Sequence, residues 1–465
     1  MRRTKIVATI GPASDSPALL DALVEAGMDV ARLNSSHSDL DELERRCVAV
    51  REAGARAGRP VAVMLDLAGP KVRIGRVASG TRLERGAAFT LRPGECTGDA
   101  AGACVSYAHL ARDVTLGDRL LLDDGALELE VVRVEGDTVH TRVLNGGALL
   151  SRKGVNVPGV RLAVDVVTDE DRAALAWGLD AGVDLVAQSF VRNAEDVEHV
   201  RELAGDVPVV AKIETAAAAR NLSDVVAAAD VVMVARGDLG VETSAEEVPV
   251  LQRRIIDECR QRGVPVIVAT QMLESMTSSP RPTRAEASDV ANAIFDQADA
   301  VMLSAESAVG KYPAESVATM DRIACRAEES GVAATSTRRS AGDTDNVTAA
   351  VSAAVCDLAD GLALDAIVTA TQSGATARAV ARHRPSVPVI AVTPHETVAR
   401  RLCVVWGVRP LVVPLAEDTD LMLDSVTEAL GEAGLVPPGA RVAITAGISS
   451  RTPGATDFIL VRTVR

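Results

Sequence analysis

Aromatic side chains are scarce in this chain: two Trp, two Tyr and four Phe among 465 residues. Hydrophobic content nevertheless reaches 48%, so the interior must be built from Ala, Val, Leu and Ile, as α/β packing is. The length allows two or three domains with full-sized cores. Basic clusters are missing as well, and a net charge of −15 argues against nucleic acid and for small molecules as partners. An anionic chain still binds anionic substrates where local cations and a divalent metal reverse the field in one cleft. No run approaches the ~18–20 apolar residues of a membrane span. Met1-Arg2-Arg3 leads straight into a short strand, with no apolar signal core. The seven cysteines (47, 96, 104, 259, 325, 356 and 403) are scattered, odd in number and without metal-ligand spacing. That predicts free thiols in a reducing cytosol. The expectation is a soluble cytoplasmic protein.

Lysine is scarce too. Of 49 basic residues, five are Lys: Lys5, Lys71, Lys153, Lys212 and Lys311. A solvated surface charge tolerates exchange to Arg, whereas a site that needs a compact ammonium does not, because the planar guanidinium is bulkier and delocalised. Lys212 stands at the end of the apolar run Val209-Val210-Ala211, followed by Ile213-Glu214. An ammonium beside a carboxylate at the end of a buried strand points to an active site. Lys5, at the start of the first strand, reads as structural, and Lys311 in a Gly-Lys-Tyr-Pro turn as incidental.

Short β-rich runs alternate with amphipathic stretches through most of residues 1–330. Strands are expected at 5–10, 28–34, 61–66, 184–188, 207–213, 230–235, 264–269 and 299–303, with helices such as 39–57, 169–181, 246–262 and 313–331 between them. Eight such strands predict a closed (β/α)₈ TIM barrel, with an open doubly wound sheet as the alternative. The alternation breaks after the third strand. Residues 71–152 are rich in Val, Thr and Gly, alternate as in Leu127-Glu128-Leu129-Glu130-Val131, and carry turn signals at Asp123-Asp124-Gly125 and Asn145-Gly146-Gly147. They are expected to form a small β-barrel domain inserted in a βα loop, placed to act as a lid. Residues 335–344 read as a polar linker. Helix 346–359, strand 365–370, helix 375–383, strand 388–392 and strand 440–446 beyond it predict a C-terminal α/β domain, residues 345–465, with its own core. The catalytic barrel is then residues 1–70 and 153–334.

Polar residues recur where the barrel strands end: Arg32, Asn34, Ser36 and His37 after the second, Asp66 after the third, Lys212 and Glu214 at the fifth, Arg236-Gly237-Asp238 at the sixth and Thr270-Gln271 at the seventh. In a barrel these positions converge on the carboxyl-end face, where such folds carry their chemistry. Lys212 and Glu214 are two apart, so both point to one face about 7 Å apart, and the next strand lies roughly 4.8 Å away. Glu214 and Asp238 thereby form an oxygen pair suited to Mg²⁺, which keeps much of its hydration shell. The alternative is that one of them pairs with Arg236. Lys212 would set a point charge against a transferring phosphoryl group, a reaction that needs positioning and charge neutralisation above all. Gly237 lets backbone N–H groups approach an anion, and Arg32 and Arg73 offer two-pronged phosphate contacts.

Several runs carry a resemblance to the pyruvate kinases over nearly the whole chain. They are Thr4-Lys5-Ile6-Val7-Ala8-Thr9-Ile10-Gly11-Pro12, Ala31-Arg32-Leu33-Asn34 with Ser36-His37, Lys212-Ile213-Glu214, Ala235-Arg236-Gly237-Asp238-Leu239-Gly240-Val241-Glu242, Ala269-Thr270-Gln271-Met272-Leu273-Glu274-Ser275-Met276, and Pro280-Arg281-Pro282-Thr283-Arg284-Ala285-Glu286 continuing to Asp289-Val290-Ala291-Asn292-Ala293. The resemblance implies Mg²⁺- or Mn²⁺-dependent phosphoryl transfer from phosphoenolpyruvate to ADP, giving pyruvate and ATP. Lys212, Arg32 and Thr270 would be catalytic, with Gly237 and Asp238 also at the substrate, and Glu214 and Asp238 would hold the metal. Asn34, His37, Arg73 and Lys153 would face the nucleotide, with capping or packing an equal alternative for His37. A homotetramer is also implied.

The chain departs from that pattern in the third-strand motif Asp66-Leu67-Ala68-Gly69-Pro70-Lys71-Val72-Arg73. Family members that use K⁺ hold it with oxygens at positions matching Asn34, Ser36, Asp66 and Leu67. Leu67 supplies no side-chain oxygen and the Lys71 ammonium supplies the monovalent charge itself, so turnover without K⁺ is expected. Ser35, Ser38, Ala305-Glu306-Ser307 and the small residues 215–219 are milder departures, and none removes a reacting group. In the C-terminal domain Thr371-Gln372-Ser373-Gly374-Ala375-Thr376 opens a helix with hydroxyls and free N–H groups. Thr371, Ser373, Gly374 and Thr376 read as a phosphate site or a plain helix cap, and the resemblance implies an allosteric phosphorylated metabolite. The final loop, Gly447 to Gly454, differs from common family versions, which favours a sugar monophosphate or AMP over a bisphosphate. A non-catalytic metabolite sensor and a pyruvate-enolate aldolase are the competing functions. The presence of Lys212, Glu214 and Asp238 argues against the first, and Arg73 and Lys153 on an inserted lid argue against the second.

Overall fold

Val, Ile and Ala dominate the eight runs expected as strands, and β-branched side chains pack well on a pleated surface. In the computed structural model, which describes residues 2–160, 162–331, 347–415, 419–447 and 456–464, those runs are β1 (Lys5–Ile10), β2 (Val30–Asn34), β3 (Ala62–Asp66), β4 (Leu185–Gln188), β5 (Val209–Ile213), β6 (Val231–Ala235), β7 (Val266–Ala269) and β8 (Ala300–Leu303). All pair in parallel and β1 pairs with both β2 and β8, closing the barrel; the open sheet is excluded. Alternate residues face inward, among them Val7, Val30, Met64, Met233 and Met302. The others, such as Ile6, Leu33, Leu65 and Val234, pack outward against the helices. Those helices start on polar caps: Asp39 before Leu40–Arg56, and capping boxes at Thr168/Asp171 and Thr283/Glu286. The expected linker 335–344, and 448–454 of the final loop, lie outside the described residues. Among the described residues no helix is long and apolar enough to cross a membrane.

Between β3 and β4 the chain leaves the barrel and builds a six-stranded sheet around Phe89, Leu91, Leu120, Leu129 and Val139. Its last strand, Val155–Asn156, lies a few residues beyond the boundary expected at 152. Arg73 bridges to Gly154 and Ile74 to Val105, so the outgoing hinge segment joins both edges of the sheet and closes it into a barrel-like unit. The expectation of seven free thiols is corrected here. The loop between Ala88–Pro93 and Gly102–Val105 doubles back, bringing the Cα atoms of Cys96 and Cys104 to 5.6 Å, and their sulfurs form a disulfide. The pair was hidden by its setting in a chain of scattered cysteines.

The C-terminal sheet places Ala366–Ala370 at its centre, with Val389–Thr393, Val408–Val412 and Arg441–Ala446 in parallel and Phe458–Thr463 antiparallel at one edge. Its core is only partly its own. One face packs on Val426, Leu430 and neighbouring residues. The other, through Leu402, Cys403, Val404 and Val405, runs continuously into the barrel interior. Acidic residues immediately before strands make this junction. Asp29, Asp184 and Asp299 accept the N–H groups of Ile6, Val63 and Val266 at the start of adjacent strands. Arg400 and Arg384 of the C-terminal domain then pair with Asp184 and Asp299 at 2.8 and 2.9 Å.

Candidate active site

Period-two alternation turns the side chain of Lys212 inward at the last turn of β5, and the carboxyl end of the barrel supplies its partners. Lys212 is 8% exposed, Glu214 2% and Asp66 1%. The ammonium lies 2.7 Å from Glu214 Oε1 and 3.2 Å from Asp66 Oδ1, and donates to Ser189 Oγ at 2.6 Å. Three oxygens around three N–H bonds is the geometry of an ammonium, and a planar guanidinium does not fit it. Burial alone would lower the Lys212 pKa, but Asp66 and Glu214 outweigh it and hold the group protonated, well above its usual range. Asp66 stays ionised: burial opposes this, while Lys212 and Arg32 bring its pKa below the ordinary carboxylate value. Arg32 donates to Asp66 Oδ2 at 2.6 Å and to Thr9 Oγ1 at 3.0 Å, linking β1, β2 and β3.

Glu214 receives the N–H of Phe190 at 2.9 Å, yet burial and the nearby charge of Asp238 raise its pKa. Two crowded carboxylates of this kind gain from a hard divalent cation between them. Arg236 takes no part in that pair. Its guanidinium is consumed by Asp289 at 2.6 Å and by the carbonyls of Thr270 and Gln271, which settles the alternative pairing. Beside it the Gly237 N–H donates to Thr270 Oγ1 at 2.8 Å. Phe190, Thr270 and Gln271 all hold positive φ, at 58°, 68° and 54°. Such backbone strain gathers at functional loops.

The remaining candidates sit around the hinge of the insert. Asn34 Oδ1 accepts from Ser36 N, opening a short turn that exposes His37. Burial, then Arg73, Arg32 and Lys71, lower the His37 pKa, so three cations gather beside a neutral imidazole. Lys71 is half-buried, and its stem passes so close to Gly154 that a Cβ there would meet Lys71 Cε at 3.0 Å. Lys153 points elsewhere: it pairs with Asp123 of the insert at 2.8 Å, on the surface.

Two residues of this cluster escaped the sequence reading. Ser189 directly follows β4, accepts from Lys212 and donates to Leu67 O at 2.7 Å; Thr9, next to last in β1, takes Arg32. The signal was present, since the same end-of-strand rule that selected Asp66 and Thr270 covers both.

The barrel-domain model of the pyruvate kinase family matches residues 1–317, and that family's alpha/beta-domain model matches residues 349–462. The chain belongs to the pyruvate kinase family. It is 47% identical over 475 residues to the pyruvate kinase of Geobacillus stearothermophilus, covering all of this chain and 80% of that protein. It is 46% identical over 477 residues to pyruvate kinase 2 of Synechocystis sp., with the same coverage. It is 45% identical to the pyruvate kinase of Mycobacterium tuberculosis, covering all of this chain and 98% of the relative. The chain is thus a transferase of the pyruvate kinase family, and its candidate site lies at the carboxyl end of the barrel.

In the alpha/beta domain that the pyruvate kinase match covers, Gly374 adopts φ 81° between the strand Ala366–Ala370 and the helix Ala375–Ala381. The free N–H groups expected there are partly used: Gly374 N donates to Thr371 Oγ1 at 2.9 Å and Ala375 N to Ser373 Oγ at 3.4 Å. Hydroxyl side chains compete for nearby backbone groups in such turns. Thr376 is buried against Thr456, their hydroxyls 2.9 Å apart.

Proposed function

We propose that this chain catalyses Mg²⁺-dependent, K⁺-independent phosphoryl transfer from phosphoenolpyruvate to ADP, giving pyruvate and ATP. The observation that carries the reading is the buried Lys212 ammonium, held by Ser189, Asp66 and Glu214 beside a third carboxylate, Asp238. In this reading Lys212, locked in its charged form, faces the transferring phosphoryl group and stabilises the charge that develops on it. Arg32 anchors the substrate phosphate, its own position fixed by Asp66 and Thr9. The Thr270 hydroxyl, held in place by the Gly237 N–H, would contact the substrate. Glu214 and Asp238 would hold Mg²⁺, and their donor set fits it: two hard oxygen ligands, with the other positions left to water and substrate. When bound there, Mg²⁺ supplies charge stabilisation to the enolate and phosphoryl oxygens.

The K⁺ reading rests on Lys71 and Leu67. Among the described residues Lys71 has no carboxylate within ion-pair distance, so it offers a fixed monovalent charge beside His37. Leu67 has no side-chain oxygen, and its carbonyl accepts from Ser189. A second cation would meet Coulomb repulsion. The proposal extends, on family resemblance, to ADP facing Asn34, His37 and Arg73, with closure of the 71–152 insert bringing Lys153 to its phosphates. It extends likewise to a phosphorylated activator at Thr371–Thr376, a cytoplasmic setting and a homotetramer. The test is pyruvate formation from phosphoenolpyruvate and ADP with Mg²⁺, after chelation, and with tetramethylammonium in place of K⁺. Activity should vanish on chelation and survive the K⁺ replacement. Activity without a divalent ion, or a large loss on removing K⁺, would overturn the respective half.

A further inference from the structure

A cavity of about 290 Å³ lies where the insert meets the barrel, at the small end of the range for ligand pockets. Of the candidate site residues Lys71 lines it, whereas Lys212, Glu214, Asp238, Arg32 and Thr270 do not. One wall is the segment that returns from the insert, with Val155, Val157, Val160 and Val164; another is Ala216 and Ala217 after β5. The wall shared with the active site is Phe190 and Thr215. Phe190 N holds Glu214 Oε2 at 2.9 Å, and Thr215 follows Glu214 directly and donates to Val191 O at 2.8 Å. The Phe190 ring also lies over Gly69, where an added Cβ would meet it at 2.7 Å. Whatever fills the cavity therefore touches the hinge of the insert and the loops that seat Glu214.

The charges around it are uneven. Arg192 is neutralised by Asp196 at 2.9 Å, whereas Lys71 and Arg220 line the cavity and, among the described residues, have no carboxylate within ion-pair distance. The carboxylate in the lining is Glu242, approached by Asn156 Nδ2 at 3.4 Å. Burial pushes its pKa up and favours the uncharged acid. A chamber walled mainly by valines and alanines, with Asn193 and Asn221 among its polar lining and two unmatched cations, suits an apolar body that ends in one negative charge.

We propose that this cavity is a regulatory site for an apolar monocarboxylate with a one- or two-ring body, and that its occupant slows turnover by pinning the insert against the barrel. Binding itself does not depend on the roles proposed for Lys212 or Mg²⁺. The slowing of turnover rests on Glu214 acting in catalysis.

The test is calorimetric titration of the whole chain, without substrates, using naphthalene-1-acetate, its neutral amide and the matching naphthyl-ethylamine. The acid should bind saturably, one molecule per chain, with the amide about tenfold weaker and the amine not binding. Ala217→Trp should fill the chamber and abolish binding. Arg220→Ala, an exposed and structurally safe change, should reduce the acid to the affinity of the amide. Pyruvate formation at saturating substrates should fall with the same midpoint as the titration. No binding of the acid at millimolar concentration, equal binding of all three probes, or full binding in both variants would overturn the site. Binding without loss of turnover would overturn its regulatory role.

Discussion

Two buried lysines mark the two ends of one barrel, and their surroundings differ in a way that separates chemistry from architecture. At the carboxyl end Lys212 has two carboxylates and a hydroxyl within 3.2 Å. At the amino end Lys5 donates to Val408 O at 2.7 Å, and its nearest carboxylate, Asp29 at 4.0 Å, is shared with Arg2 and Arg59. The consequences are opposite. Lys212 is held charged, while burial lowers the Lys5 pKa and Asp29 restores only part of it. A lysine kept charged by surplus carboxylates is prepared to meet an anionic substrate. A lysine that competes for one carboxylate and reaches across to the C-terminal sheet joins two domains.

That contrast can be broken by substitution at either end. The largest effect outside Lys212 itself is expected for Glu214→Gln: turnover down about 100-fold and the Mg²⁺ needed for half-saturation up about tenfold. Titrating activity against Mg²⁺ checks both, and an unchanged midpoint would remove Glu214 from the metal site. At the amino end Arg384→Met should leave Asp299 buried without its main partner and cost about 3–5 kcal/mol of stability, read by urea unfolding. The kcat of the folded enzyme should stay near that of the unaltered chain; a large fall would mean that the domain junction takes part in catalysis. The smallest effect is expected for Lys5→Met, at most about 1–2 kcal/mol, since Asp29 keeps both arginines. Its kcat should be unchanged.

Sequence periodicity located every barrel strand to within two residues, because strands buried on both faces read as apolar runs bounded by turns. The site was legible for a related reason: a polar residue after such a run has few places to go except the barrel rim, which is how Asp66, Lys212 and Thr270 were found. What escaped has identifiable causes. The strand Val408–Val412 contains Pro410, which demotes a strand pattern; in the fold it is an edge strand, where proline is tolerated. The Cys96–Cys104 pair depends on how the short loop between them doubles back. The core shared by barrel and C-terminal domain arises from contacts between segments that no local pattern encodes. The Asp123 partner of Lys153 belongs to the same class.

The most direct test of the division between the two ends is the rate of pyruvate formation by Lys212→Met, measured beside Lys5→Met on protein shown to be folded. Turnover should fall about a thousandfold in the first and not at all in the second. Turnover by Lys212→Met close to that of the unaltered chain, or an equal loss in both variants, would contradict that division.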